Sequence, residues 1–116
     1  MQLSEIVMIL DAEVICGEEH LDREINTGCG SDMMSDVLAF AKDGGILLTG
    51  LLNHQAVRTA DMLDMRCVAF VWGKMPGDDI IGLAEERGIV LLSTRFRLFT
   101  ACGLLYSAGL QGGCGE

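Results

Sequence analysis

The chain has 116 residues, half of them hydrophobic, enough for one domain with a core of its own and no need of disulfide or metal staples. Eight basic against 17 acidic residues leave a formal net charge of −9, which argues against nucleic acid and anionic membrane as partners, since both call for a basic face. The five cysteines (16, 29, 67, 102 and 114) form no CxxC pair, and their odd number and wide spacing point to buried reduced thiols rather than a disulfide framework. With no signal-peptide pattern and no apolar run of ~18 residues, the chain reads as cytoplasmic.

Leu3, Ile6, Val7 and Leu10 recur at helical spacing, so the spacing predicts a helix over 3–10, with Ser4 placed to cap it. Residues 12–16 (AEVIC) read as a short strand ended by Gly17. A long polar loop follows over 18–31, EEHLDREINTGCGS, holding the adjacent pair Asp22-Arg23. Ser31 or Asp32 is a natural cap for a helix over 33–42 that Gly44-Gly45 ends. The remainder repeats a simpler unit. Strands are predicted at 46–49, 66–72 and 89–92, and helices at 54–63 (capped by Asn53), 80–87 (capped by Asp78 or Asp79 and stopped by Gly88) and 96–108 (capped by Ser93 or Thr94). The last residues, 110–116, read as a flexible tail after a single domain over 1–109.

The strands are continuously apolar rather than alternating, which marks them as buried on both faces. That pattern predicts a three-layer α/β/α domain around a mostly parallel sheet of at least four strands. The functional edge of such a sheet lies outside the carboxyl ends of its strands. There the loops at 17–31, 50–53, 73–79 and 93–94 are expected to converge.

With the elements in place, three runs resemble the DRTGG domain: VICGEEHLDREINTGCGSDMMSDVLAF, GGILLTGLLNHQAVRTA and CVAFVWGKMPGDDIIGLAEERGIVLLSTRF. The resemblance covers roughly residues 12 to 109, nearly the whole chain. Asp22-Arg23 stand where the family has its D-R, and the family's T-G-G falls on Val71-Trp72-Gly73, where only the last glycine survives. Such domains resemble the N-terminal domain of HPr kinase and occur beside CBS domains in regulated pyrophosphatases and in some phosphate acetyltransferases. The resemblance implies a regulatory or dimerising module with no catalysis of its own. Trp72 would fill space that the family's glycine leaves vacant.

The residues themselves leave alternatives. Asp22 and Arg23 either bind a ligand or tie down their loop, with Arg23 reaching backbone carbonyls. The run 26–30 has glycines for turning the backbone but neither GxGxxG nor GxxxxGK[ST]. Two helix starts favour anions: Asn53-His54, with Arg58 one turn on, and Ser93-Thr94-Arg95, with Arg97 close behind. The candidate ligand site, for a small anionic molecule, is therefore Asp22, Arg23, Asn53, Gly73, Thr94 and Arg95. Cys29 with His20 or His54 is the one conceivable nucleophile pair, and no run has metal-ligand spacing, so neither catalytic residue, cofactor nor metal is assigned. The last helix is apolar nearly all round. Leu98, Phe99, Leu105 and Tyr106 are its candidate interface residues for a homodimer or an unknown protein partner.

Overall fold

The computed structural model describes residues 1–41 and 44–113. The elements in chain order are α1 (Leu3–Ile9), β1 (Glu13–Cys16), a 3-10 turn (Glu18–His20), β2 (Thr27–Gly30), α2 (Met34–Phe40), β3 (Ile46–Thr49), α3 (His54–Met62), β4 (Cys67–Phe70), α4 (Asp78–Arg87), β5 (Val90–Ser93), α5 (Leu98–Ser107) and β6 (Gln111–Gly112). The strand order is β1-β5-β4-β3-β2-β6. Every neighbouring pair is parallel except β1 with β5, which is antiparallel.

The three-layer α/β architecture read from the sequence is the one observed. Each residue of β3, β4 and β5 is buried, as central parallel strands covered on both faces must be. Successive side chains alternate between two cores. Leu47, Val68, Phe70 and Leu91 face Val37, Val57, Ala60 and Ala84 of α2, α3 and α4. Ile46, Leu48, Ala69, Val90 and Leu92 face Leu3, Ile6, Ala101 and Leu105 of α1 and α5.

Several sequence expectations are corrected. The polar stretch over 18–31 is not one loop, because Thr27–Gly30 is a strand between β3 and β6. Its glycines read as turn residues, yet they let α5 lie close to the sheet. A Cβ on Gly30 would stand 2.5 Å from the Cys102 Sγ. The tail is corrected in the same way: Leu110 is buried, Gln111–Gly112 pair with β2, and the Gly113 N–H donates to the Gly28 carbonyl at 2.8 Å. The expected looseness of 114–116, like the predicted helix end at Lys42, lies outside the described residues.

Helix starts also shift. Gln2 caps α1, its N–H donating to Glu5 at 3.2 Å, in place of Ser4. Met33 precedes α2, with its N–H on the Ser31 Oγ at 3.0 Å. Gly77 precedes α4, so Asp78 and Asp79 lie in its first turn, where carboxylates oppose the positive helix end. Asn53 caps α3 as expected, accepting from the Ala56 N–H at 3.3 Å. The last helix begins at Leu98 with Arg97 as its cap residue, so Ser93 ends β5, Thr94-Arg95 is a connection, and none of the three is a helix start.

Candidate functional site

Because β2, β3, β4 and β5 run the same way, the segments after Gly30, Thr49, Phe70 and Ser93 emerge at one edge of the sheet. Side chains tie these exits together. The Asp32 carboxylate accepts from the Thr49 hydroxyl at 2.9 Å and from the Gly50 N–H at 2.7 Å, joining the end of β2 to the end of β3. The Lys74 ammonium donates to the Gly50 carbonyl at 2.8 Å, and the Ser93 hydroxyl donates to the Lys74 carbonyl at 2.8 Å, which carries the link to β4 and β5.

Trp72 and Gly73 both adopt left-handed backbone at φ +66°, held by the Trp72 N–H on the Phe96 carbonyl (2.9 Å) and the Gly73 N–H on the Thr94 carbonyl (2.8 Å). The Arg97 guanidinium lies 4.2 Å from the Trp72 ring centroid. Arg95 stands 4.8 Å from the Phe96 centroid and pairs with Asp11 at 3.5 Å across open surface. Lys74, Arg95 and Arg97 thus put three cations on the segments that leave β4 and β5, on a chain that is otherwise acidic.

The expected convergence is only partial. Gly73 and Arg95 are at this edge, and the segment after Gly50 joins them. Asn53 spends its carboxamide oxygen on the α3 cap, and the neighbouring His54 Nε2 lies 3.1 Å from Asp79. Thr94 is fully buried: its hydroxyl donates to the Leu10 carbonyl at 2.7 Å and accepts from the Phe96 N–H, so it serves the fold. Asp22 and Arg23 sit at the opposite edge. β1 is antiparallel, so its Cys16 end points away from the carboxyl edge and carries the following segment to the amino ends of β4 and β5. There Arg23 donates to the Gly88 carbonyl at 2.6 Å and the Arg66 carbonyl at 3.4 Å, the loop-tying role. Burial, then the neighbouring Arg66, hold its guanidinium below its ordinary pKa, while Asp22 supports its charge. Trp72, Lys74 and Asp32 were not among the site residues read from the sequence. The signal available for Lys74 was a lone cation just beyond the end of an apolar strand.

Nucleophile chemistry finds no support in the thiols. Cys29 is disulfide-bonded, a correction to the expectation of reduced thiols and to its pairing with a histidine; sequence spacing carries no information on which sulfurs meet in space. Cys16, Cys67 and Cys102 are free, and burial pushes each thiol above its ordinary pKa, Cys67 far above it, the reverse of what activates a nucleophile. Among the described residues no cluster of three or more His, Cys, Asp or Glu is placed to hold a metal.

A second feature lies between α5 and the last two strands of the sheet, β2 and the edge strand β6. An apolar cavity of about 350 Å³ is lined by Gly28, Gly30, Cys102 and Leu110, with Phe99 and Tyr106 also on its wall. Phe99 is 85% and Tyr106 70% exposed. Leu105, expected at an interface, is instead buried in the domain's own core, and Leu98 packs half-buried against it. Among the described residues no helix is long and apolar enough to cross a membrane.

The architecture defines the class: a three-layer α/β domain with parallel crossovers, one antiparallel edge strand and loops clustered at the carboxyl edge. No protein-family model and no curated protein matches the chain. Among solved structures it is similar to the CBS and DRTGG domains of the regulatory region of Clostridium perfringens pyrophosphatase, crystallised with the activator diadenosine tetraphosphate. The TM-score is 0.75 at 22% identity, over 98% of this chain and 48% of that one. The chain thus spans about half the length of the structure it matches. At this identity the likeness is one of fold, and that fold is consistent with the DRTGG resemblance read from the sequence.

Proposed function

We propose that this chain is a regulatory α/β module without catalysis of its own, working as a homodimer that engages a protein partner. The observation that carries this reading is the match of nearly the whole chain to a regulatory region of an enzyme. The exposed Phe99 and Tyr106 beside the apolar cavity supply the contact face. Exposed aromatics gain little for the isolated domain and much for an interface. Light scattering on the eluting protein tests it. The wild type is expected as a dimer, and Phe99→Ser with Tyr106→Ser as a monomer that keeps its folded circular-dichroism spectrum. A wild-type monomer at every concentration would refute the dimer.

A second reading is favoured by the cations of the carboxyl edge: a sensor binding a small anionic metabolite or nucleotide. The similar pyrophosphatase region holds a dinucleotide activator, which supports a ligand of this type. Binding of inorganic tripolyphosphate, weakened in Arg95→Ala with folding intact, is the expected result. Equal binding by wild type and variant would remove the reading.

A further inference from the structure

We infer that Trp72, with Lys74, Arg95 and Arg97, forms a platform for a nucleotide, the base stacked on the indole and the phosphates held by the three cations. This rests on the reading of the carboxyl edge as an anion site and names the ligand class and the residue that would select it.

Trp72 is placed against its own interest as a structural residue. It occupies left-handed backbone at φ +66°, where a side chain strains the chain and glycine does not. A bulky side chain in such a position is ordinarily repaid by burial, yet Trp72 remains 54% exposed after Arg97 has settled near its ring. Two backbone hydrogen bonds fix the turn from the β5 side, so the indole is presented on a rigid support.

The cations around it are available. Lys74 donates to a neutral carbonyl rather than to a carboxylate. Arg95 meets Asp11 at 3.5 Å with both side chains about three-quarters exposed, a contact that a phosphate readily replaces. Arg97 beside the indole can contact base and phosphate together. Of the other acids at this edge, Asp32 is engaged with Thr49 and Gly50, Asp79 lies 3.1 Å from the His54 Nε2, Asp78 stands in the first turn of α4, and Glu13 is opposite Ser93. A planar aromatic surface joined to a small cluster of cations fits a molecule with a base at one end and phosphates at the other. The net charge of −9 disfavours an extended polyanion, which would have to lie along the acidic remainder of the surface.

Trp72 is the only tryptophan, so its fluorescence reports on the platform directly. Wild type, Trp72→Leu, Trp72→Gly and Arg97→Gln, each checked for folding by circular dichroism, are titrated calorimetrically with ATP and with inorganic tripolyphosphate. The glycine variant relieves the backbone strain and so stays folded if the leucine variant does not. ATP is expected to bind roughly tenfold tighter than tripolyphosphate, the scale of one base stacked on an aromatic side chain, and to quench the wild-type fluorescence. Both Trp72 variants are expected to bring ATP down to the tripolyphosphate affinity, and Arg97→Gln to weaken both ligands. Equal affinities in the wild type, or an ATP preference that survives loss of the indole, would overturn the platform and leave the anion site standing. Binding of neither ligand would overturn both.

Discussion

Arg23 offers the sharpest test of how the amino edge is held. Its guanidinium donates to the Gly88 carbonyl at 2.6 Å and, more weakly, to the Arg66 carbonyl at 3.4 Å, tying the segment after β1 to the entrances of β5 and β4. That segment also supports α1, since the Leu3 N–H donates to the Arg23 carbonyl at 2.9 Å and the Ile25 N–H to the Met1 carbonyl at 2.8 Å. Truncation in Arg23→Ala removes one short charge-assisted bond and one long one, and leaves a half-buried carbonyl to find water. Hydrogen bonds to charged groups contribute about 1.5–3 kcal/mol, and about 4 °C of melting temperature accompanies each kcal/mol at this chain length. Arg23→Ala is therefore expected to melt roughly 6–12 °C lower. Arg23→Lys, with a single ammonium in place of a fork, should fall between the two. Urea denaturation followed by far-ultraviolet circular dichroism gives the free energy. A change below about 0.5 kcal/mol, the range of ordinary surface substitutions, would refute the clamp and release Arg23 for a role in binding.

Three further outcomes follow from the same geometry. Gly30→Ala places a Cβ 2.5 Å from the Cys102 sulfur and forces that side chain to shift within the α5–sheet contact, with an expected loss of about 1–3 kcal/mol by chemical denaturation; partial recovery in Gly30→Ala with Cys102→Ala would locate the clash. Leu110→Ala is expected to cost about 2–4 kcal/mol because Leu110 is a core residue, whereas a residue in a loose tail would cost nothing measurable by the same method. Alkaline pH should destabilise the protein. Burial holds the Cys67 thiol neutral well above its ordinary value of 9.0, whereas the unfolded thiol ionises near that value. The stability is thus complete below about pH 9 and is lost as pH rises toward the folded pKa, by about 1.4 kcal/mol per unit for this thiol. Cys16 and Cys102 shift in the same direction and add to the slope. A Cys67→Ala variant with an unchanged slope between pH 8.5 and 10.5 would refute the assignment to Cys67.

Much of the domain is written in local patterns. The helical spacing of Leu3, Ile6 and Leu10 and the unbroken apolar runs of β3, β4 and β5 each specify one element by its own burial, and the glycines and Asn53 mark where several elements begin or end. These determined a layered α/β fold with a mostly parallel sheet, because a strand apolar on both faces has no other stable place. The two strands beyond β3 carry no such mark. Thr27–Gly30 and Gln111–Gly112 are short and glycine-rich, and only pairing with β3 and with each other makes them strands. The direction of β1 was likewise decided by its pairing with β5, and that one choice sent Asp22 and Arg23 to the far edge of the sheet from Arg95. The same holds for the last helix. Its composition showed an apolar cylinder, but which residues face the core depends on where α5 crosses β2. That crossing buried Leu105 and left Phe99 and Tyr106 outside. Periodicity is a property of neighbours in sequence, whereas strand direction, edge pairing and the rotation of a helix on a sheet are set by contacts between residues far apart in the chain.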